Sequence, residues 1–134
     1  MKDFVTFEIA KKLKERGFKD ECFYCYRNRD GKLYANPLYG NDCETYITSN
    51  ELLYSHNSNV SSRIDAPTIS QVLKWLRNEK KIHICIDFNG DIPPKWYYQI
   101  AIYGSTDIAA DGYGYNDYET AVLTGIEYVL DNLI

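Results

Sequence analysis

No stretch of this 134-residue chain approaches the ~18 consecutive apolar residues that a membrane-spanning helix needs. The opening residues, MKDFVTFEIAKKLKERG, lack the uninterrupted apolar core of a secretory leader, so the chain is expected in the cytoplasm. Histidine is scarce: only His56 and His83 occur. That leaves little material for a nucleophile–base pair, and neither histidine has a third, orienting group in view. Basic residues are scarce at one end. Residues 82–134 hold one, Lys95, against eight acidic side chains, whereas residues 1–32 hold nine basic against six acidic. A carboxyl-terminal part charged in this way does not suit a phosphate backbone.

Four cysteines are present, Cys22, Cys25, Cys43 and Cys85. Cys22 and Cys25 form a C-x-x-C, but a structural zinc site needs a second pair and a turn between the two sulfurs. The run CFYCY reads instead as a strand, which sets the two cysteines on opposite faces. They are expected to be reduced and mostly buried, acting as small hydrophobes. Asp107 to Gly112 (DIAADG) fits positions 1, 5 and 6 of a calcium-binding loop, but Ala109 and Tyr118 fall where ligands are required. The GYG of residues 112–114 follows no strand-to-helix turn of the right length for a dinucleotide. No residue set selects a metal, a cofactor or a catalytic group.

What the chain does carry is a clear helix–strand unit. Thr68 and Gln71 form a capping-box pattern after Pro67. Ile69, Val72, Leu73 and Leu76 then recur at helical spacing, with Trp75 at the edge of the stripe. The period changes to two at Ile82, Ile84, Ile86 and Phe88, which alternate with His83, Cys85 and Asp87. Asn89-Gly90 ends this strand. His83 and Cys85 share its polar face and could touch.

The remainder reads around that unit. Thr6 caps a helix over residues 7–16, with Ile9, Ala10 and Leu13 apolar and Gly17 just past its end. Residues 22–27 and 32–36 form a hairpin about Asp30-Gly31. Residues 38–65 have no regular pattern beyond a short helix from Ser49. The polar run at 55–62 reads as an exposed mobile loop. Residues 96–103 form a strand antiparallel to 82–88, with Trp96, Tyr98, Ile100 and Ile102 facing the core. Residues 104–115 read as a glycine-bearing loop. Asn116 with Glu119 opens a last helix ending near Asn132. Gly125, inside its apolar stripe, is expected to let another element come close.

The expectation is a single domain over residues 1–134, of α+β class. Its order is α-β-β-α-β-β-α, with an antiparallel sheet of about four strands and three helices mainly on one face.

Three blocks, FVTFEIAKKLKERGF, APTISQVLKWLRNEKKIHI and AVLTGIEYVLDNLI, resemble a family of small proteins from gut anaerobes and their phages. That family has no assigned activity, cofactor or catalytic residue, so the resemblance transfers no site. It implies a small cytoplasmic accessory protein, associated with phages or mobile elements.

The one unusual feature is tyrosine. Thirteen occur, more than a core of this size can hold, and exposed tyrosine offers contact area at low entropic cost. The reading favoured is a non-enzymatic protein-interaction module with a surface built from Tyr97, Tyr103, Tyr113 and Tyr115. Its partner would be a protein, a second copy among the candidates. The alternative is a hydrolase or transferase using carboxylates from among Asp87, Asp91, Asp107, Asp111, Asp117 and Glu119. A weaker alternative is nucleic-acid binding through the basic first helix, against which the acidic remainder argues.

Overall fold

Helix α1 spans Phe7–Glu15 because both of its ends are closed by their own sequence. The Thr6 hydroxyl accepts from the Ile9 amide at 3.2 Å. At the other end the Phe18 amide donates to the Leu13 carbonyl at 3.0 Å and the Gly17 amide to Lys14 at 3.3 Å. With Gly17 at φ 88°, this is the Schellman arrangement, and the buried Leu13 and Phe18 supply its usual apolar contact.

The computed structural model describes residues 3–28, 30–35 and 63–134. The expected helix at Ser49, the loop at 55–62, His56 and Cys43 lie outside the described residues. The class is α+β, and the described residues form three helices and six strands in two antiparallel three-stranded sheets. This corrects the expectation of about four strands in one sheet. The chain divides into two compact units, Met1–Thr68 and Ile69–Ile134.

In the first unit, β1 (Tyr24–Arg27), β2 (Leu33–Ala35) and β3 (Arg63–Asp65) form a sheet in the order β2-β1-β3. Strand β3 falls in the segment read as patternless, since three residues are too few to show a period. The hairpin turn is held by Asp30, whose carboxylate accepts from the Lys32 amide and from the Tyr34 hydroxyl, each at 2.9 Å. Desolvation, the largest single influence, would raise the Asp30 carboxyl. The two hydrogen bonds, with the charges of Lys32 and Arg27, outweigh it and hold the group below its ordinary range. Cys22 precedes β1 rather than lying in it, so the opposite-faces expectation fails and both Cys22 and Cys25 are buried.

The second unit runs α2 (Ile69–Glu79), β4 (Ile82–Phe88), β5 (Trp96–Ile102), β6 (Ile108–Tyr115) and α3 (Tyr118–Asn132). Its sheet order is β4-β5-β6. Ile82 pairs with Ile102 and Phe88 with Trp96, the antiparallel hairpin that the alternation predicts. Both helices pack on the face carrying Ile82, Ile84, Tyr98 and Ile100. Gly125 lets α3 come close to the sheet. A Cβ there would sit 3.2 Å from Tyr98 Cγ and 3.3 Å from Ile84 Cγ2. In α2, Trp75 is buried while Leu73 is only half-buried, so the stripe is rotated toward Trp75. The cap of α3 is Asp117, accepting from the Thr120 amide at 2.7 Å. Asn116, one residue earlier, instead accepts from Lys95 Nζ at 2.6 Å.

Candidate functional site

The alternation of β4 and β5 that buries isoleucine and Tyr98 beneath the helices must turn the intervening residues the other way. On β4 these are His83, Cys85 and Asp87, all exposed. On β5 they are Tyr97, Gln99 and Ala101. The third strand, β6, replaces the loop expected over 104–115. It brings Ile108 beside Ala101, Asp111 beside Gln99 and Tyr113 beside Tyr97. Three cross-strand rows result: His83–Ala101–Ile108, Cys85–Gln99–Asp111 and Asp87–Tyr97–Tyr113.

The third row has the most definite geometry. Tyr97 and Tyr113 stack with ring centroids 5.2 Å apart and planes inclined by 28°. The Tyr113 hydroxyl donates to Asp111 at 3.3 Å, and Tyr113 is 61% exposed. Desolvation first, then the neighbouring Asp87, Cys85 and Tyr113, push the Tyr97 phenol above its ordinary range. It therefore remains a neutral hydroxyl throughout the physiological range. The face thus presents two stacked rings flanked by two carboxylates.

Of the four tyrosines singled out from sequence, the structure brings Tyr97 and Tyr113 together. Tyr103 follows β5 and is 56% exposed, its amide donating to the Lys81 carbonyl at 2.9 Å. Tyr115 goes elsewhere. Strand β6 is irregular between the partners of Trp96 and Tyr97, and Gly114 has φ 89°. Tyr115 consequently stacks on Tyr98, centroids 5.9 Å apart, on the helix-covered side. Gly112 lies under that stack: a Cβ there would fall 2.7 Å from Tyr98 Cζ and 2.8 Å from the Tyr115 hydroxyl. The remaining tyrosines divide. Tyr34 is buried and Tyr24 and Tyr26 pack against the core of the first unit.

Asp87 and Asp111 sit on the two outer strands with β5 between them, at least about 10 Å apart at the usual inter-strand spacing. Asp117 is engaged as a helix cap. On this face β5 separates Asp87 from Asp111, and His83 and Cys85 lie in different cross-strand rows. The described residues contain no group of three or more His, Cys, Asp or Glu placed to hold a metal ion. None of the helices among them is long and apolar enough to cross a membrane. Sequence reasoning missed Gln99 and the pairing of Asp111 with Tyr113, because both depend on β6. The signal available was the alternation in Asp111-Gly112-Tyr113, read as a loop on account of its glycine.

No family model, curated protein or solved structure matches the chain.

Proposed function

We propose that this chain is a non-enzymatic interaction module that binds a protein surface bearing arginine or lysine through the exposed face of β4, β5 and β6. The observation that carries this reading is the stacked Tyr97–Tyr113 pair on the sheet face away from the helices, with Asp87 across from Tyr97 and Asp111 accepting from the Tyr113 hydroxyl. A guanidinium or ammonium group is attracted to an aromatic face, and the adjacent carboxylates complement its charge. The acidic surplus of residues 82–134 steers the same class of partner. The setting we infer is a reducing cytoplasm, in a small accessory protein of the phage-associated kind that the three sequence blocks resemble.

The test is a titration of isotopically labelled protein with three probes, followed by amide resonances. These are an arginine-rich peptide, an acidic peptide of equal length and a short DNA duplex. The reading expects shifts at Cys85, Asp87, Tyr97, Gln99, Asp111 and Tyr113 with the arginine-rich peptide alone. It also expects them to weaken as salt rises from 0.1 to 1 M, since the screening length falls from about 10 to 3 Å. Shifts confined to α1 with the duplex would favour nucleic-acid binding and overturn it. So would a response to the basic peptide that bypasses the face.

A further inference from the structure

Strand β4 reads Ile82-His83-Ile84-Cys85-Ile86-Asp87-Phe88, and this order is self-complementary about Cys85. Among the described residues its edge away from β5 has no partner strand. Which backbone groups point to that edge follows from the hydrogen bonds at the strand's two ends. The Tyr103 amide donates to the Lys81 carbonyl and the Asn89 amide to the Lys95 carbonyl. Antiparallel pairs alternate between bonded and non-bonded. The odd-numbered residues therefore bond to β5, and Ile82, Ile84, Ile86 and Phe88 direct their amides and carbonyls outward. The Phe88 amide agrees with this, since its partner is the Asp87 carboxylate at 2.8 Å rather than β5.

We infer that β4 pairs with β4 of a second copy of this chain, antiparallel about a two-fold axis at Cys85, joining two three-stranded sheets into one of six strands. The inference is separate from the face reading and does not depend on it. In this register Ile84 of one copy bonds with Ile86 of the other, and Ile82 with Phe88, using the outward groups. The odd residues form the non-bonded pairs, in which side chains approach most closely. His83 of each copy then faces Asp87 of the other, so that an imidazole N–H can donate to a carboxylate in each of two contacts, and the two Cys85 side chains meet on the axis.

Other registers fit less well. A shift of two residues toward Phe88 sets Asp87 against Cys85. A shift toward Ile82 sets His83 against Cys85 and needs Lys81 in the ladder. Lys81 has φ 59°, outside strand geometry, and its Nζ donates to the Asn78 carbonyl at 2.8 Å. The other edge of the sheet is interrupted. Strand β6 has two register irregularities and Gly112 and Gly114, features that blunt an edge against pairing. Strand β4 has none of these. Its partly exposed Ile86 and Phe88 would gain cover from the second copy.

Sedimentation of the full chain at rising concentration, with Cys85 as reporter, tests the inference. A non-bonded antiparallel pair has Cα atoms about 4.5 Å apart, within disulfide range. Copper–phenanthroline oxidation should therefore yield a covalent dimer whose linked peptides both contain Cys85, and Cys85→Ser should yield none. His83→Asp places like charges opposite each other twice and should weaken the dimer at least about tenfold. The double exchange His83→Asp with Asp87→His restores the two imidazole–carboxylate pairs and should restore the dimer. A strict monomer at all concentrations, cross-links that exclude Cys85, or a double exchange as weak as His83→Asp alone would each overturn the inference.

Discussion

Cys22 and Cys85 show how far position governs a side chain's chemistry. Burial first, then the negative groups Asp65 and Asp20 and the thiol of Cys25, push the Cys22 thiol up to about 12. Cys85 is exposed on the open sheet face. Since the thiolate is the nucleophile, iodoacetamide at neutral pH should modify Cys85 within minutes and leave Cys22 until the protein unfolds, as read by peptide mass mapping. Equal labelling in the folded protein would contradict the burial. The thiol also makes stability depend on pH. The unfolded group ionises from its ordinary 9.0 while the folded one stays protonated to about 12. The folded state thus binds more protons between those values. This contribution is intact below pH 9 and is lost as pH rises toward 12. Gly125 is a second position where one atom decides. Gly125→Leu drives its side chain into Tyr98 and Ile84 and should cost at least about 2 kcal/mol in urea titration, within the range of overpacking. A loss under 0.5 kcal/mol would mean that α3 stands off the sheet.

At the scale of elements, α1 and β4 were legible because each obeys one rule throughout. The Thr6 cap, the stripe of Ile9, Ala10 and Leu13, and Gly17 agree on a single helix, and the alternation from Ile82 to Phe88 leaves one register for its apolar face. Strand β6 was hidden for a physical reason. Its covered face is filled by Tyr98 of the neighbouring strand lying over Gly112, so the apolar residue that alternation would require belongs to another strand. The cap of α3 was misplaced by one residue because Asn116 and Asp117 are both good cap formers; the demand of Lys95 for Asn116 is tertiary. The stripe of α2 gives a graded expectation. Leu76 is wholly buried and Leu73 half-buried. Leu76→Ala should cost about 2–5 kcal/mol, and Leu73→Ala no more than about 1–2 kcal/mol. Equal losses in denaturant unfolding would place the stripe where the periodicity alone puts it.

At the scale of the molecule, the α+β class followed from the mix of periods, but the number of sheets did not. Residues 63–65 are too short to show a pattern, and nothing in Tyr24 to Arg27 tells with which strand it will pair. The tyrosine surface was legible only as a composition. Tyr97 and Tyr113 lie sixteen positions apart in sequence, and only β6 makes them a stack. We propose that this stack serves binding rather than folding. Exposed cross-strand pairs contribute no more than about 1 kcal/mol, so Tyr113→Ala should leave the urea midpoint nearly unchanged. The most direct measurement is the affinity of Tyr113→Ala for the arginine-rich peptide, taken beside the wild-type chain under conditions where both are folded. Loss of one aromatic face and of the hydroxyl that orients Asp111 should weaken binding at least about tenfold, or 1.4 kcal/mol. Unchanged affinity, with stability lowered by more than about 2 kcal/mol, would show that the stacked tyrosines belong to the fold and not to a binding surface.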